Sequence, residues 1–173
     1  MRSLTAILLI LLAFSACTTE PRSFEEELRK VYQDKKGFFY IKVPPALLSL
    51  ALKAADDEEM LQFFKNARQV GIISFGDGFP ATENPDLVKN LEEMLARYDY
   101  EDLISISDTE KQIIMKIRED NGSVNELVAI VSQTDSPLIT LTLSGEIDIQ
   151  TIVHMAADFN FDRFLQMQSM GKR

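Results

Sequence analysis

The second half of the chain alternates apolar and polar residues from Leu103 onward, for about forty positions. Alternation with a period of two is typical of β-strands that are buried on one side. Polar turns divide this stretch into four segments, which cover residues 103–107, 111–119, 124–133 and 138–144. Asn121 and Gly122 lie between two of the segments and form a dipeptide typical of a tight hairpin. The pattern therefore predicts a four-stranded antiparallel meander.

The predicted strands of the meander differ on their two sides. One side is apolar and carries Ile104, Ile106, Ile113, Met115, Ile117, Ile139, Leu141 and Leu143. The other side is polar and carries Ser105, Ser107, Lys116, Arg118, Thr140 and Thr142. Residues 127–131 are apolar on both sides, which indicates a central strand. We therefore expect helices to cover one side only, with some apolar surface left on the open side.

Helical periodicity begins earlier, at Ser23. Ser23 and Glu26 have the spacing of a capping box, which starts a helix. Its inward residues are Phe24, Leu28, Val31 and Tyr32. The acidic residues 25–27 fall in the first helical turn, where negative charge is favourable, and Glu25 and Glu26 are expected to face outward. A surface-export signal is the alternative interpretation of this acidic run.

The next elements alternate between strand and helix. Residues 38–43 are β-branched and aromatic and predict a strand that ends at Pro44. Residues 46–54 are apolar almost all round, which predicts a helix buried in the core; a helix that contacts the membrane is the alternative. Asp56 and Asp57 are expected to cap a further helix, because contiguous carboxylates suit a cap better than the alternating ligands of a calcium loop.

The remaining elements complete the predicted fold. Residues 68–75 predict a strand, and the turn 76–78 that follows matches no phosphate-binding fingerprint. A helix then turns Leu87, Leu91, Met94 and Leu95 inward, and Asp148 is expected to cap a last helix. Together the elements predict an α+β, two-layer domain, with a mostly antiparallel sheet that ends in the four-stranded meander and with helices packed on one face.

The N-terminus has the features of a lipoprotein signal. A charged start is followed by an apolar run over residues 4–14, which is too short to span a membrane but has the length of a signal-peptide core. Ser15 and Ala16 precede Cys17 as in a lipobox, although Phe14 departs from the usual Leu. Cys17 is the single cysteine of the chain and stands where lipidation requires it. Ordinary secretory cleavage after Ser15 is the alternative.

This signal sets the predicted domain boundaries and the predicted location. Residues 1–16 form the signal peptide, 17–22 a tether, 23–158 one domain, and 159–173 a tail rich in aromatic residues and Met. A lipid anchor on Cys17 holds the protein to a membrane without a transmembrane helix. Thr18 replaces the Asp that favours retention in the inner membrane, so we expect the cell envelope and the outer membrane as the destination. The tail either packs on the domain or docks elsewhere.

Composition and charge narrow the classes of partner. The chain carries a formal charge of −9, which argues against a basic surface for nucleic acid. With 46% hydrophobic and 26% charged residues, it has the composition of an ordinary globular protein. Once Cys17 is lipidated, no cysteine is left for a disulfide. We therefore expect one domain held together by its hydrophobic core alone.

Few residues indicate catalysis. His154 is the only histidine, and Asp158 follows it by one helical turn, so the two can pair on one helix face. A triad would also need a nucleophile, and no Gly-x-Ser-x-Gly elbow is present. A zinc site needs several Cys and His ligands, which this chain lacks. The 27 acidic residues offer many carboxylate pairs for hydrolysis, but no pattern selects one pair.

Five segments, in this order and spacing, resemble the family catalogued as domain of unknown function 4252. They are residues 40–43, 70–73, 103–106, 125–128 and, above all, 141–148, with the sequence Leu-Thr-Leu-Ser-Gly-Glu-Ile-Asp. The resemblance covers residues 24–157. It implies a small exported bacterial protein, often a lipoprotein. Since the family has no established activity, ligand or functional residue, the resemblance transfers no site to this chain.

The sequence thus predicts a lipid-anchored protein of the bacterial envelope that acts as a non-catalytic interaction or adaptor module. Its expected contacts are the membrane, through the lipid on Cys17, and an envelope protein, through the open sheet face or the aromatic tail. No cofactor and no metal site are expected. Two alternatives stay open: a hydrolase of envelope material that uses an Asp/Glu pair, and a carrier of an apolar ligand in a cavity between helices and sheet.

Overall fold

The computed structural model of the chain describes residues 23–76, 79, 85–134, 136–150 and 152. Four helices are α1 (Phe24–Tyr32), α2 (Pro45–Ala54), α3 (Glu58–Phe63) and α4 (Pro85–Ala96), and a 3-10 turn covers Phe64–Asn66. Six strands are β1 (Phe38–Val43), β2 (Ala67–Phe75), β3 (Glu101–Ser107), β4 (Lys111–Asp120), β5 (Ser123–Gln133) and β6 (Leu138–Ile147). Residues 149, 150 and 152 are also helical. No helix in these ranges is long and apolar enough to cross a membrane.

The six strands form one sheet in the order β1-β2-β6-β5-β4-β3, and all five pairings are antiparallel. The predicted meander is confirmed as the run from β3 to β6. The strand β5 lies inside the sheet, and residues 127–131 are buried, as their two-sided apolar pattern predicted. The sheet is completed by β2, which pairs with β6, and by β1, which pairs with β2 and forms one edge.

The first face of the sheet packs against α1 and α4, and we call it the α1/α4 face. Its buried residues are Phe24, Leu28 and Tyr32 of α1, Leu87, Leu91, Met94 and Leu95 of α4, and Ile73, Phe75, Ile114, Val128, Ile130 and Leu138 of the strands. The inward residues predicted for α4 are all confirmed. In α1, however, Val31 is exposed, so its predicted inward position is wrong. The predicted α+β class, with its antiparallel sheet and packed helices, is confirmed.

Strand residues of the opposite parity face the other way, and we call their side the α2 face. They form a second buried cluster in which Leu52 of α2, Phe64 and Ile152 cover Val70, Met115, Ile117, Val124, Leu127, Ala129, Leu141 and Leu143. The helix predicted over residues 46–54 is present, but the expectation that it is buried is wrong. Only Leu52 of α2 is buried, because the helix lies on the outside of this cluster.

The polar side of the meander is not open, contrary to the expectation from alternation. Thr140 is fully buried and Thr142 nearly so on the α1/α4 face, and Lys116 is buried on the same face. Lys116 forms an ion pair with Asp102 and lies 3.9 Å from Glu92 of α4. The polar residues are therefore covered by the helices of this face. Of the three, Thr142 bonds to Glu25 of α1, and this contact belongs to the candidate site.

Candidate functional site

A carboxylate from α1 is the centre of the site. Ser23 caps α1 with an extended backbone, and its Oγ accepts a hydrogen bond from the Glu26 amide at 3.3 Å. The capping half of the predicted box is thereby confirmed. The cap fixes the first turn so that Glu25 points at the sheet, with its side chain only 14% exposed. The expectation that Glu25 faces outward is wrong, because the sheet supplies its partners.

Side chains from three strands converge on the Glu25 carboxylate. Tyr40 Oη of β1 and Gln69 Nε2 of β2 each donate to Oε2 at 2.9 Å. Thr142 Oγ1 of β6 donates to Oε1. Lys42 Nζ lies 3.7 Å from Oε2 and donates to Gln69 Oε1 at 3.1 Å. Because one carboxylate offers about four acceptor positions, these contacts use most of its capacity.

The strand position Gly71 makes room for this carboxylate. Gly71 pairs with Thr142 across β2 and β6. A Cβ atom at position 71 would lie 2.6 Å from Glu25 Oε1 and closer still to Thr142 Oγ1. A glycine inside an apolar strand often marks a close approach of another group, and here that group is the Glu25 carboxylate. This is the sequence signal that could have indicated the site.

A second carboxylate lies in the same region. Glu126 of β5 accepts from Tyr100 Oη through Oε2 and from Arg118 Nη2 through Oε1. The Arg118 guanidinium also lies over the Tyr100 ring, 5.6 Å from its centroid. Arg29 of α1 stands in a similar position over Tyr40, at 5.1 Å. Each carboxylate thus accepts a hydrogen bond from a tyrosine, and an arginine lies over the ring of each tyrosine.

The two tyrosines are held in their neutral form. Burial raises the pKa of Tyr40, and the hydrogen bond to Glu25 raises it further. Burial is also the first cause of the raised pKa of Tyr100, followed by its bond to Glu126. A phenol that donates to a carboxylate loses that bond when it ionises, and it then faces a like charge. Both hydroxyls therefore act as fixed donors at neutral pH.

Between these groups lies a polar cleft of about 310 Å³. Glu25, Arg29, Lys42, Tyr100, Glu126 and Thr142 contribute to its walls. Charges of both signs line the cleft, and the two carboxylates already accept hydrogen bonds from the protein. This arrangement suits a structural network better than proton transfer, because a general acid or base must present its oxygen to a substrate.

Most of the residues predicted as candidates from sequence cannot be compared with this cleft. Cys17, His154 and Asp158 fall outside the residues that the structure describes, as do the turn positions 77 and 78. Asp57 caps α3 by accepting from the Met60 amide at 3.1 Å, as predicted. Within the described ranges, no group of three or more His, Cys, Asp and Glu side chains is placed to hold a metal ion.

The family relationship follows from a comparison of the whole sequence. No curated protein and no solved structure gives a significant match to this chain. A family sequence model does match, over residues 32–155, which is most of the domain described above. The matched region contains five of the residues around the two carboxylates, Tyr40, Gln69, Tyr100, Arg118 and Thr142, whereas Glu25 precedes it. The chain belongs to the family described as domain of unknown function (DUF4252).

Proposed function

We propose that this protein is a lipoprotein of the bacterial envelope, anchored through Cys17 and directed to the outer membrane, whose domain acts as a non-catalytic interaction module. The anchor is supported by the apolar run over residues 4–14 and by the placement of the single cysteine after Ser15 and Ala16. The role of the domain is supported by one edge of its sheet.

The observation that carries the interaction role is the apolar edge strand β1. Phe39 and Ile41 point to the α2 face and are 54% and 43% exposed. The opposite edge strand, β3, begins with Glu101 and Asp102, and charged residues at an edge discourage further pairing. The six residues of β1 include one charge, Lys42. An extended segment of an envelope protein can therefore add to β1, with apolar side chains against Phe39 and Ile41.

The alternatives find less support in the cleft. A hydrolase would use the pair Glu25 and Glu126, but both carboxylates are engaged by tyrosine, glutamine, threonine or arginine donors. A carrier of an apolar ligand needs a dry apolar cavity, whereas this cleft is lined mainly by polar groups. We therefore take the network as a structural device.

The anchor is tested by fractionating cells that express the full chain beside its Cys17→Ser variant. We expect the wild type in the outer-membrane fraction, with a diacylglyceryl group and an acyl chain on the peptide that begins at Cys17. The Cys17→Ser variant should leave that fraction. A wild-type peptide that carries no lipid by mass spectrometry would remove the anchor from the proposal.

The interaction role is tested by placing a photoreactive amino acid at Ile41 in the lipidated chain. Ile106 of the other edge strand is the matched control, because it is also an isoleucine and is 47% exposed. We expect a crosslink to one envelope protein from position 41, none from position 106, and loss of the crosslink in Cys17→Ser. Equal crosslinking from both positions, or none from position 41, would contradict strand addition at β1.

Catalysis is tested directly with purified chain and envelope material. We expect no products by mass spectrometry after incubation with isolated peptidoglycan or with phospholipid vesicles. Products that disappear in Glu126→Gln would establish the hydrolase instead, and Glu93→Gln, on the exposed side of α4, is the control for a change of charge alone.

A further inference from the structure

The outward side of α2 has no polar residue at its centre. Leu47 and Leu50 are 59% and 64% exposed, the two largest values among the exposed large hydrophobic residues. Ala46, Ala51 and Ala54 are exposed beside them. At 100° per residue, these positions lie on one side of the helix, opposite the buried Leu52. The single charged residue of α2 is Lys53, at the margin of this surface. We call Ala46, Leu47, Leu50, Ala51 and Ala54 the α2 ridge.

The other long helices show that such a surface is unusual in this chain. The exposed positions of α1 include Glu26, Arg29 and Lys30, and those of α4 include Lys89 and Glu93. Apart from the exposed Val31 of α1, both helices follow the ordinary pattern of an apolar inner side and a charged outer side. The α2 ridge departs from that pattern. An apolar surface on a helix that is already packed on its other side indicates a second apolar contact.

The position of the first turn of α1 indicates what that contact is. Glu25, in the first turn of α1, bonds to Tyr40 and lies 3.7 Å from Lys42 Nζ. Lys42 is three residues before Pro45, where α2 starts. The beginnings of α1 and α2 therefore lie at the same end of β1. From Ser23 back to Cys17 the chain extends at most about 20 Å. A lipid on Cys17 brings this end of the domain to the bilayer.

We propose that the α2 ridge lies on the bilayer to which Cys17 is anchored, with Leu47 and Leu50 inserted at the boundary between headgroups and acyl chains. The inference rests on the proposed anchor. Insertion is apolar rather than electrostatic, because the chain carries a charge of −9 and is repelled by anionic headgroups. The contact orients the domain: α2 faces the lipid, and α4, on the other face of the sheet, faces away.

The experiment uses an introduced thiol, which is unique once Cys17 is lipidated. Ala51→Cys, labelled with an environment-sensitive dye, reports on the ridge and leaves both leucines in place. Glu93→Cys on α4 is the control, because it is exposed on the opposite face of the sheet. The lipidated proteins are reconstituted in vesicles of phosphatidylethanolamine and phosphatidylglycerol that carry a nitroxide on the acyl chain. Aqueous iodide is the second quencher.

We expect the dye at position 51 to be quenched by the nitroxide at least about threefold more than the dye at position 93, and to be shielded from iodide. The double substitution Leu47→Glu, Leu50→Glu in the Ala51→Cys background should reduce nitroxide quenching to the level at position 93. Because both leucines are exposed, an unchanged circular dichroism spectrum and melting temperature will show that this variant folds.

Three results would overturn the inference. Iodide quenching at position 51 equal to that at position 93 shows that the ridge faces water. Shielding from both quenchers shows that protein covers it: the tail 159–173 if truncation after residue 158 restores iodide access, or a second copy if dilution does. A Cys17 peptide without lipid removes the anchor and this inference together, whereas a lipidated chain with an exposed ridge removes the inference alone.

Discussion

The two sides of the molecule differ in where they place polar and apolar residues: polar residues are buried on one side, and apolar residues are exposed on the other. The α1/α4 face buries Thr140, Thr142 and Lys116 under its helices, together with the largely buried Glu25. On the α2 face, Leu47 and Leu50 are exposed. Of these groups, Thr142 and Glu25 bond to each other, and this contact fixes the position of α1 on the strands. Exposed apolar groups require a partner outside the domain. The difference separates the residues that define the fold from those that are available for contacts.

The largest expected effect on the contacts around Glu25 comes from Gly71→Ala. The new methyl group would overlap Glu25 Oε1 and Thr142 Oγ1, so the bond between them must be lost and both groups displaced. We expect the free energy of unfolding to fall by about 3 kcal/mol, measured by urea denaturation. Gly122→Ala is the control, because the φ of Gly122 is positive but a Cβ atom added there would have no neighbouring atom within 4 Å. We expect this variant to lose about 1 kcal/mol of the free energy of unfolding.

Removal of the carboxylate itself is the next largest change. Glu25→Ala leaves Tyr40, Gln69 and Thr142 without their acceptor, and we expect a loss of about 2 kcal/mol. This corresponds to a fall of roughly 5 °C in the melting temperature for a domain of this size. Glu93→Ala, on the exposed side of α4, should change stability by less than about 0.5 kcal/mol. Equal effects of the two substitutions would show that the network is not structural.

The burial of the four tyrosines can be tested through the pH dependence of stability. Burial raises the pKa of all four tyrosines of the chain, and for Tyr98 the value reaches about 12. A raised pKa means that the folded state keeps protons that the unfolded state releases near pH 10. The stabilisation is therefore complete below pH 10 and is lost as the pH rises through the folded values. Phenolate absorbance should stay low at pH 10.5 in the folded protein, whereas in urea it should rise near pH 10.

One buried hydroxyl on the α1/α4 face is left without a hydrogen bond among the described residues. Thr140 Oγ1 is fully buried and has no hydrogen-bond partner among the described residues. Thr140→Val replaces the hydroxyl with a methyl group of similar size and removes the cost of burying an unpaired polar atom. We expect the free energy of unfolding to rise by about 1 kcal/mol, measured by urea denaturation. A loss of stability would mean that the hydroxyl has a partner in solution.

The smallest expected effect belongs to the apolar side. Leu50→Glu changes an exposed position of α2. Leucine and glutamate both have good helix propensity, so the helix itself should be unaffected. We expect stability to change by less than about 0.5 kcal/mol by thermal denaturation of the chain in solution. Leu52→Glu, two residues later and buried in the same helix, should unfold the domain. This pair of variants separates the residues that α2 uses for the fold from those of its ridge.

The sequence predicted the elements well because their patterns are local. Alternation located the meander within a few residues, and the spacing of Leu87 and Leu91 located the inner side of α4. The covered face of the sheet was not predictable in the same way. Thr142 has the period of an exposed strand residue, and only a distant carboxylate makes its burial tolerable. Glu25 likewise looks like an ordinary first-turn acid until the strands supply its donors.

The helix α2 shows the opposite limit. Its apolar composition predicts burial, because hydropathy reports how a residue partitions and not which partner covers it. One side of the helix is covered by the domain through Leu52, and the ridge is not. The cleft was not predictable for a related reason: its residues come from α1, β1, β2, β5 and β6 and from Tyr100, just before β3, and no spacing along the chain relates them. Gly71 was the one local sign of their approach.

The pairing of β2 with β6 joins two strands that lie far apart along the chain. Each of the two also pairs with a strand closer in sequence, β2 with β1 and β6 with β5. Between β2 and β6, however, the chain forms α4, β3, β4 and β5. Closing so long a loop carries an entropic cost that the hairpins of the meander avoid, so this pairing is expected late in folding. Gly71 faces Thr142 across this pair. The full set of contacts around Glu25 therefore requires this pairing, and we expect α1 to complete its docking on the sheet late in folding.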